Sequence, residues 1–252
     1  MTASAASGLT QSGIFEDLQH KIDEDTAVKD ALRDIVSTLE KQDRNTQSIL
    51  SRAHSTANND LPTVIQAAET SIKEQIATIQ SLSAEASKHP YYKFNYSWQR
   101  QMENSTFSIL FCGWLGGCGK EGTGNLLTIE EVGQIINGMS RSRVMRSESD
   151  KKKVPVNVKD RDCFHLTIEE YLLALVSLLD ELSRLARNSV TLGDHRRPFQ
   201  ISQFIKDVHA GFQILNLKND ALRKRSDIIK YKVKEVEDVV YDLSLRGLTP
   251  KD

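Results

Sequence analysis

Seven Lys or Arg residues and two Asp lie between positions 218 and 234, a local balance of +5 in a chain of net charge −1. Leu215, Leu222, Ile229, Val236 and Leu243 recur every seven residues through the same region, with Val233 and Val240 filling the stripe. At about 100° per residue, Arg223, Lys230 and Lys234 fall on one flank of that stripe, and Arg225 and Lys232 on the other. Lys224 completes the Arg223-Lys224-Arg225 triplet, while Asp227, Glu235, Asp238 and Asp242 take the back. Rows of cations neutralise phosphates and release their counterions, so nucleic acid is one reading of these flanks. The other is a solvated helix whose long side chains cover its apolar edge. The stripe itself reads as core packing or as a seam between subunits.

The segment HPYYKFNYSWQR (89–100) offers a second chemistry. Its aromatic residues interleave with Lys93 and Arg100, and bases stack on aromatic rings beside a phosphate-binding cation. Lys93, Trp98 and Arg100 are the candidate contacts, set against the alternative that these rings open a helix and pack inward.

Other chemistries are weaker. Gly119-Lys120 fails as the end of a phosphate-binding loop, because that motif requires glycine where Trp114 stands and Ser or Thr where Glu121 stands. The six histidines (20, 54, 89, 165, 195, 209) contain no pair three or four apart, and Cys112 and Cys118 have no second ligand pair in sequence. No metal site and no cofactor are expected on spacing. A helical bundle can also gather acids inward to hold Mg²⁺. Glu103, Asp180 and Glu181 lie among apolar residues, but positions 104–108 (NSTFS) supply no acidic partner, so no catalytic residue is assigned.

The elements that position these groups are helical. Apolar residues recur at helical spacing in almost every segment, and no alternating run competes. Helices are predicted over about 13–53, from Pro62, from Pro90 through Trp98 to Leu115, from Thr128, over 167–190, from Pro198, and over 218–246 with Gly247 as the terminating residue. Thr128 with Glu131 and Thr167 with Glu170 are capping boxes. The expected fold class is an all-α, seven-helix bundle. Residues 1–12 read as a disordered tail, 13–247 as one domain with a flexible loop at about 140–160, and 248–252 as a C-terminal tail. Lys151-Lys152-Lys153 reads as part of a solvated linker or as a nuclear import signal. The longest apolar run is too short to span a bilayer, and three cysteines without a disulfide framework fit a reducing compartment.

The blocks HPYYKFNYSW, FHLTIEEYLLALVSLLDELSRLARNSV and the stretch through VEDVVYDLSLRG resemble the translin family, and a looser resemblance extends over about 13–247. It implies a seven-helix fold, binding of single-stranded RNA or DNA, ring-like or barrel-like octamers, and a cytoplasmic and nuclear location. It also implies a partner, translin-associated factor X (Trax), in an endoribonuclease that removes passenger strands in RNA silencing or trims tRNA fragments. In that assembly Trax supplies the acidic Mg²⁺ site. Its glutamate positions fall here on Asn104 and Phe107, and its Asp/Glu pair on Ser177 and Glu181, so one acid of four is retained. The family's basic cluster after the tyrosine pair falls on Lys93, Asn95 and Ser97. Residues 190–194 match a segment linked to GTP in the family, and read equally as a helix-ending turn. The expectation is a non-catalytic, nucleic-acid-binding subunit. A Mg²⁺-dependent homo-oligomeric ribonuclease using Glu181 and a purely structural helical adaptor remain as alternatives.

Overall fold

The computed structural model describes residues 7–120, 122–138, 154–156, 163–218 and 220–249. In chain order its helices are α1 (Ser7–Ser51), α2 (Leu61–Ala86), α3 (Tyr91–Phe94), α4 (Gln99–Trp114), α5 (Ile129–Ile136), α6 (Ile168–Thr191), α7 (Arg196–Ile214), α8 (Asp220–Ser226) and α9 (Ile229–Leu245). Short 3-10 turns occupy Arg52–His54 and Asn95–Ser97. The fold is all-α. Among the described residues these make seven helical units, because α3 runs into α4 through the second 3-10 turn, and α8 and α9 are separated by two residues only.

Both interruptions preserve the inward face. Tyr91, Phe94, Trp98 and Met102, spaced three to four apart, are all buried across the first break. Leu222, Ile229, Val236 and Leu243 are all buried across the second. There the Ile228 N–H donates to the Arg225 carbonyl and the Tyr231 N–H to the Ile228 carbonyl, tight three-residue bonds that interrupt the helix while the buried seven-residue stripe continues.

Local signals set the ends. Thr128 Oγ1 accepts from the Glu131 N–H while the Glu131 carboxylate accepts from the Thr128 N–H, and Thr167 with Glu170 repeats the arrangement at the start of α6. Gly247 stands at φ 66° after α9, which lets the Leu248 N–H reach back to the Leu243 carbonyl.

The helices pack in a connected series: α1 on α2 and α4, α4 on α6, α6 on α7 and α9, and α7 on α9. Leu32, Leu39 and Leu50 carry the buried stripe of α1, whereas Ile14, Phe15, Leu18 and Ile22 are exposed. The predicted stripe of the first helix therefore packs only from about Val28 onward.

Three expectations change. The α1 backbone is helical from Ser7, inside the stretch read as a tail ending at 12. Within the segment read as a flexible loop, Val154 is buried and bonds in both directions to the Asn137 side chain, and Val156 forms a bridge with Leu166. Those contacts pin 154–156 to the end of α5. The rest of that loop, with Lys151-Lys152-Lys153, lies outside the described residues, as do 1–6 and 250–252. Leu215 is 43% exposed and leaves the stripe that its seven-residue spacing suggested, because α7 ends at Ile214 and the backbone there turns extended.

A polar node joins three helices in the core. Asp43 is 1% exposed and its Oδ1 accepts from Gln75 Nε2 and Ser105 Oγ, both at 2.7 Å, joining α1, α2 and α4. Burial pushes its carboxyl up to about 7 from an ordinary 3.8. Glu170, equally buried, is also pushed up to about 7 by burial, against its capping hydrogen bonds. The folded chain thus keeps protons that the unfolded chain loses first. Stability should fall as pH rises from about 4 to about 7, by up to about 1.4 kcal/mol per unit for each group. Asp43→Asn retains the acceptor and cannot ionise. Thermal melts between pH 4.5 and 8 should show the variant losing less stability than wild type over that window; parallel declines would refute the assignment.

Candidate nucleic-acid interface

Burial of the α8–α9 stripe fixes which cations face outward. Arg223, Lys224, Lys230 and Lys234 are exposed, and none has an acidic partner within 4.0 Å among the described residues. Lys230 Nζ stands 5.0 Å from the centre of the Tyr231 ring, which is itself 63% exposed. A flat aromatic face beside unpaired cations is the arrangement that single-stranded nucleic acid uses, with bases stacked and phosphates neutralised. Sequence reasoning passed over Tyr231. Its signal was its phase, off the apolar stripe and next to Lys230.

The opposite flank does different work, which corrects the expectation that both flanks bind phosphate. Arg225 Nη1 binds Glu103 Oε1 of α4 at 2.6 Å, and its Nη2 donates to Ser177 Oγ of α6 at 2.9 Å. Lys232 Nζ lies 2.6 Å from Asp180 of α6 and 3.0 Å from Glu235, which also pairs with Arg187. These two cations are already neutralised and clamp the C-terminal helices onto α4 and α6.

The segment around α3 divides in the same way. Trp98 is 1% exposed and packs on Phe164 and Tyr91, so its ring is closed to a base and it leaves the candidate site. Tyr92, Tyr96 and Arg100, four residues apart, are exposed instead. Lys93 is also exposed but bonds Asp25 of α1 at 2.6 Å, a solvent-facing pair worth about 1 kcal/mol or less and readily exchanged for a phosphate.

Three acids along the α4–α6–α9 seam, Glu103, Asp180 and Glu181, are each paired with a cation. Glu181 Oε1 accepts from His54 Nε2 and from Arg184, both at 2.7 Å, and Asn188 Nδ2 donates to His54 Nδ1. With Glu103 on Arg225 and Asp180 on Lys232, the carboxylates facing the α4–α6–α9 seam are compensated by neighbouring cations. The cavity beside them, about 250 Å³, is bordered by Asp180, Ser177, Arg225 and Lys232. Such a seam offers a divalent cation repulsion as much as attraction. Residues 190–194 form a helix-ending turn. The Asp194 carboxylate accepts from the Arg196 and Arg197 N–H groups and from Asn58, and pairs with the Arg197 guanidinium.

Comparison with known proteins places the chain. A translin family model matches residues 27–247. Translin of Gallus gallus is 35% identical over 241 residues, covering 95% of both chains, and Translin of Homo sapiens is 35% identical over 240 residues with the same coverage. Translin-associated protein X of Rattus norvegicus is 29% identical over 130 residues, half of this chain. Among solved structures, apo-NeC3PO superposes with a TM-score of 0.62 at 12% identity, covering 95% of this chain and 98% of its own. The AfC3PO–duplex RNA complex gives 0.59 at 14% identity over 94% and 99%. A family match spanning nearly all the helices, with full-length relatives at 35% identity, has one meaning: the chain belongs to the translin family.

Proposed function

We propose that this chain is a non-catalytic subunit that binds single-stranded RNA or DNA, forms octamers with itself or with translin-associated protein X, and with that partner makes up an endoribonuclease complex. Its work there is to hold RNA beside the partner's Mg²⁺ site, in passenger-strand removal or tRNA fragment processing, in the cytoplasm and nucleus. The observation that carries this reading is the division of the C-terminal cations into a clamped flank and a free flank with an exposed tyrosine. A relative of the same fold was solved with duplex RNA. Assembly would draw on apolar residues left exposed, Ile14, Phe15, Leu18 and Ile22 of α1 with Ile214 and Leu215 after α7. The buried Leu222, Ile229, Val236 and Leu243 are unavailable to a partner. Among the described residues no helix is long and apolar enough to cross a membrane.

Binding of a single-stranded RNA oligonucleotide, followed by fluorescence anisotropy from low to moderate salt, tests the interface. Replacing Arg223, Lys224, Lys230 and Lys234 by Ala should flatten the slope of log affinity against log salt by about 3, at about 0.7 per lost phosphate contact. Tyr231→Ala should weaken binding by about 1–3 kcal/mol with the salt slope unchanged. Arg225→Ala should act on folding, lowering stability by about 1–2 kcal/mol by leaving Glu103 unpaired. RNA affinity unmoved by the fourfold replacement would defeat the interface, and absence of RNA binding by wild type would favour the structural adaptor.

Catalysis is tested on the pure chain. In Mg²⁺ or Mn²⁺ and without a partner, labelled RNA should stay intact, because Glu181 is engaged by His54 and Arg184. Cleavage that disappears in Glu181→Ala would establish the homo-oligomeric ribonuclease instead.

A further inference from the structure

The chain reverses sharply after α4. The Gly117 N–H donates to the Cys112 carbonyl at 2.9 Å, a return made by Gly116 at φ 103°. A Cβ on Gly117 would lie 2.7 Å from Cys112 Sγ, so the returning backbone runs directly over that sulfur. Cys118 follows at φ 55°, the one non-glycine residue with positive φ among the described residues. That conformation costs an ordinary side chain about 1–2 kcal/mol. It is held by the Cys118 N–H, which donates to Glu69 Oε1 of α2 at 2.7 Å. The outcome is that a Glu69 carboxylate oxygen, Cys112 Sγ and Cys118 Sγ lie within 4.8 Å of one another.

We propose that Glu69, Cys112 and Cys118 form a binding site for a thiophilic divalent cation of the Zn²⁺ class, joining α2 to the end of α4. Tetrahedral Zn²⁺ binds thiolate at about 2.3 Å and carboxylate at about 2.0–2.2 Å, which sets the ligand atoms about 3.6–3.8 Å apart. The three side chains reach that spacing by a contraction of at most about 1.2 Å. Two sulfurs select Zn²⁺ over Mg²⁺ or Ca²⁺, which prefer all-oxygen sets. Glu69 uses part of its acceptor capacity on the Cys118 N–H and keeps lone pairs for the ion, the peptide group acting as the hydrogen-bonded support that metal ligands commonly have.

The fourth coordination position has room. Glu69 and Cys118 border a cavity of about 490 Å³ that Ile72, Ile76 and Leu127 line, wide enough for water or a small ligand on the ion. A cation also stands nearby. Two thiolates and a carboxylate around a dication leave one negative charge, and Lys73 borders the same cavity, while Lys120 is matched by Glu131 at 2.9 Å. Binding requires both thiols to release their protons to solvent, with no oxidation of either sulfur. Spacing predicted no metal here, because the third ligand comes from a helix more than forty residues away.

Titration of the reduced full-length chain with Co²⁺ is the test. One equivalent should produce thiolate-to-cobalt charge-transfer absorption with the visible bands of a tetrahedral site, and Zn²⁺ should bleach both. Cys118→Ser should abolish the charge-transfer signal of a two-thiolate site, and Glu69→Gln should weaken Co²⁺ affinity by at least about tenfold. Cys163→Ser should change nothing. Cys112 is buried, so Cys112→Ala is read only with its melting curve, and Zn²⁺ should raise the melting temperature of wild type and not of Cys118→Ser. Folded, reduced wild type without the absorption would overturn the proposal. So would a signal that persists in Cys118→Ser or vanishes in Cys163→Ser.

Discussion

The rotation of the C-terminal helices about their own axes decides what the surface of this protein can do. Leu222, Ile229, Val236 and Leu243 are 4% exposed or less, and their burial against α6 and α7 leaves no freedom to roll. A fully buried side chain of this size contributes about 1.5–3 kcal/mol, so turning the four outward would cost about 6–12 kcal/mol, comparable to a domain's whole net stability. With the phase fixed, one basic flank meets the acids of α4 and α6 and the other meets solvent. Chemically similar side chains acquire opposite roles through their position on the helix alone.

Much of the fold was legible because its signals are local. A capping box satisfies two backbone donors with residues three apart, and the helices opening after Thr128 and Thr167 begin as those pairs require. The seven-residue repeat likewise marked the buried stripe of α8 and α9 across a break it did not reveal. That break has neither proline nor glycine, so no residue type announced it. Leu215 shows the opposite limit, since it keeps the period yet lies beyond the end of α7, where periodicity no longer describes the backbone.

The candidate site was legible only by half, for a related reason. Composition marks a basic segment, but whether a cation is free depends on what stands across from it in space. Glu103 and Asp180 are 122 and 52 positions from the arginine and lysine they bind, and nothing in the local pattern pairs them. Trp98 was assigned by residue type, whereas phase with Phe94 and Met102 places it in the core. The same phase argument, applied throughout, would have selected Tyr92, Tyr96 and Tyr231 for the surface.

Those pairings also bear on catalysis. A Mg²⁺ site for phosphodiester hydrolysis needs acids whose charge is not already balanced, so that the ion gains more than it displaces. Here Arg225, Lys232 and Arg184 stand within 2.7 Å of Glu103, Asp180 and Glu181 respectively, and the first two come from the C-terminal helices. Arg225 and Lys232 therefore do two things together. They fasten α8 and α9 to the bundle, which holds the outer basic flank in place, and they neutralise carboxylates on α4 and α6 that would otherwise attract a metal. In this chain, the electrostatics that leave one basic flank open to solvent and those that oppose an acidic metal site arise from one set of contacts.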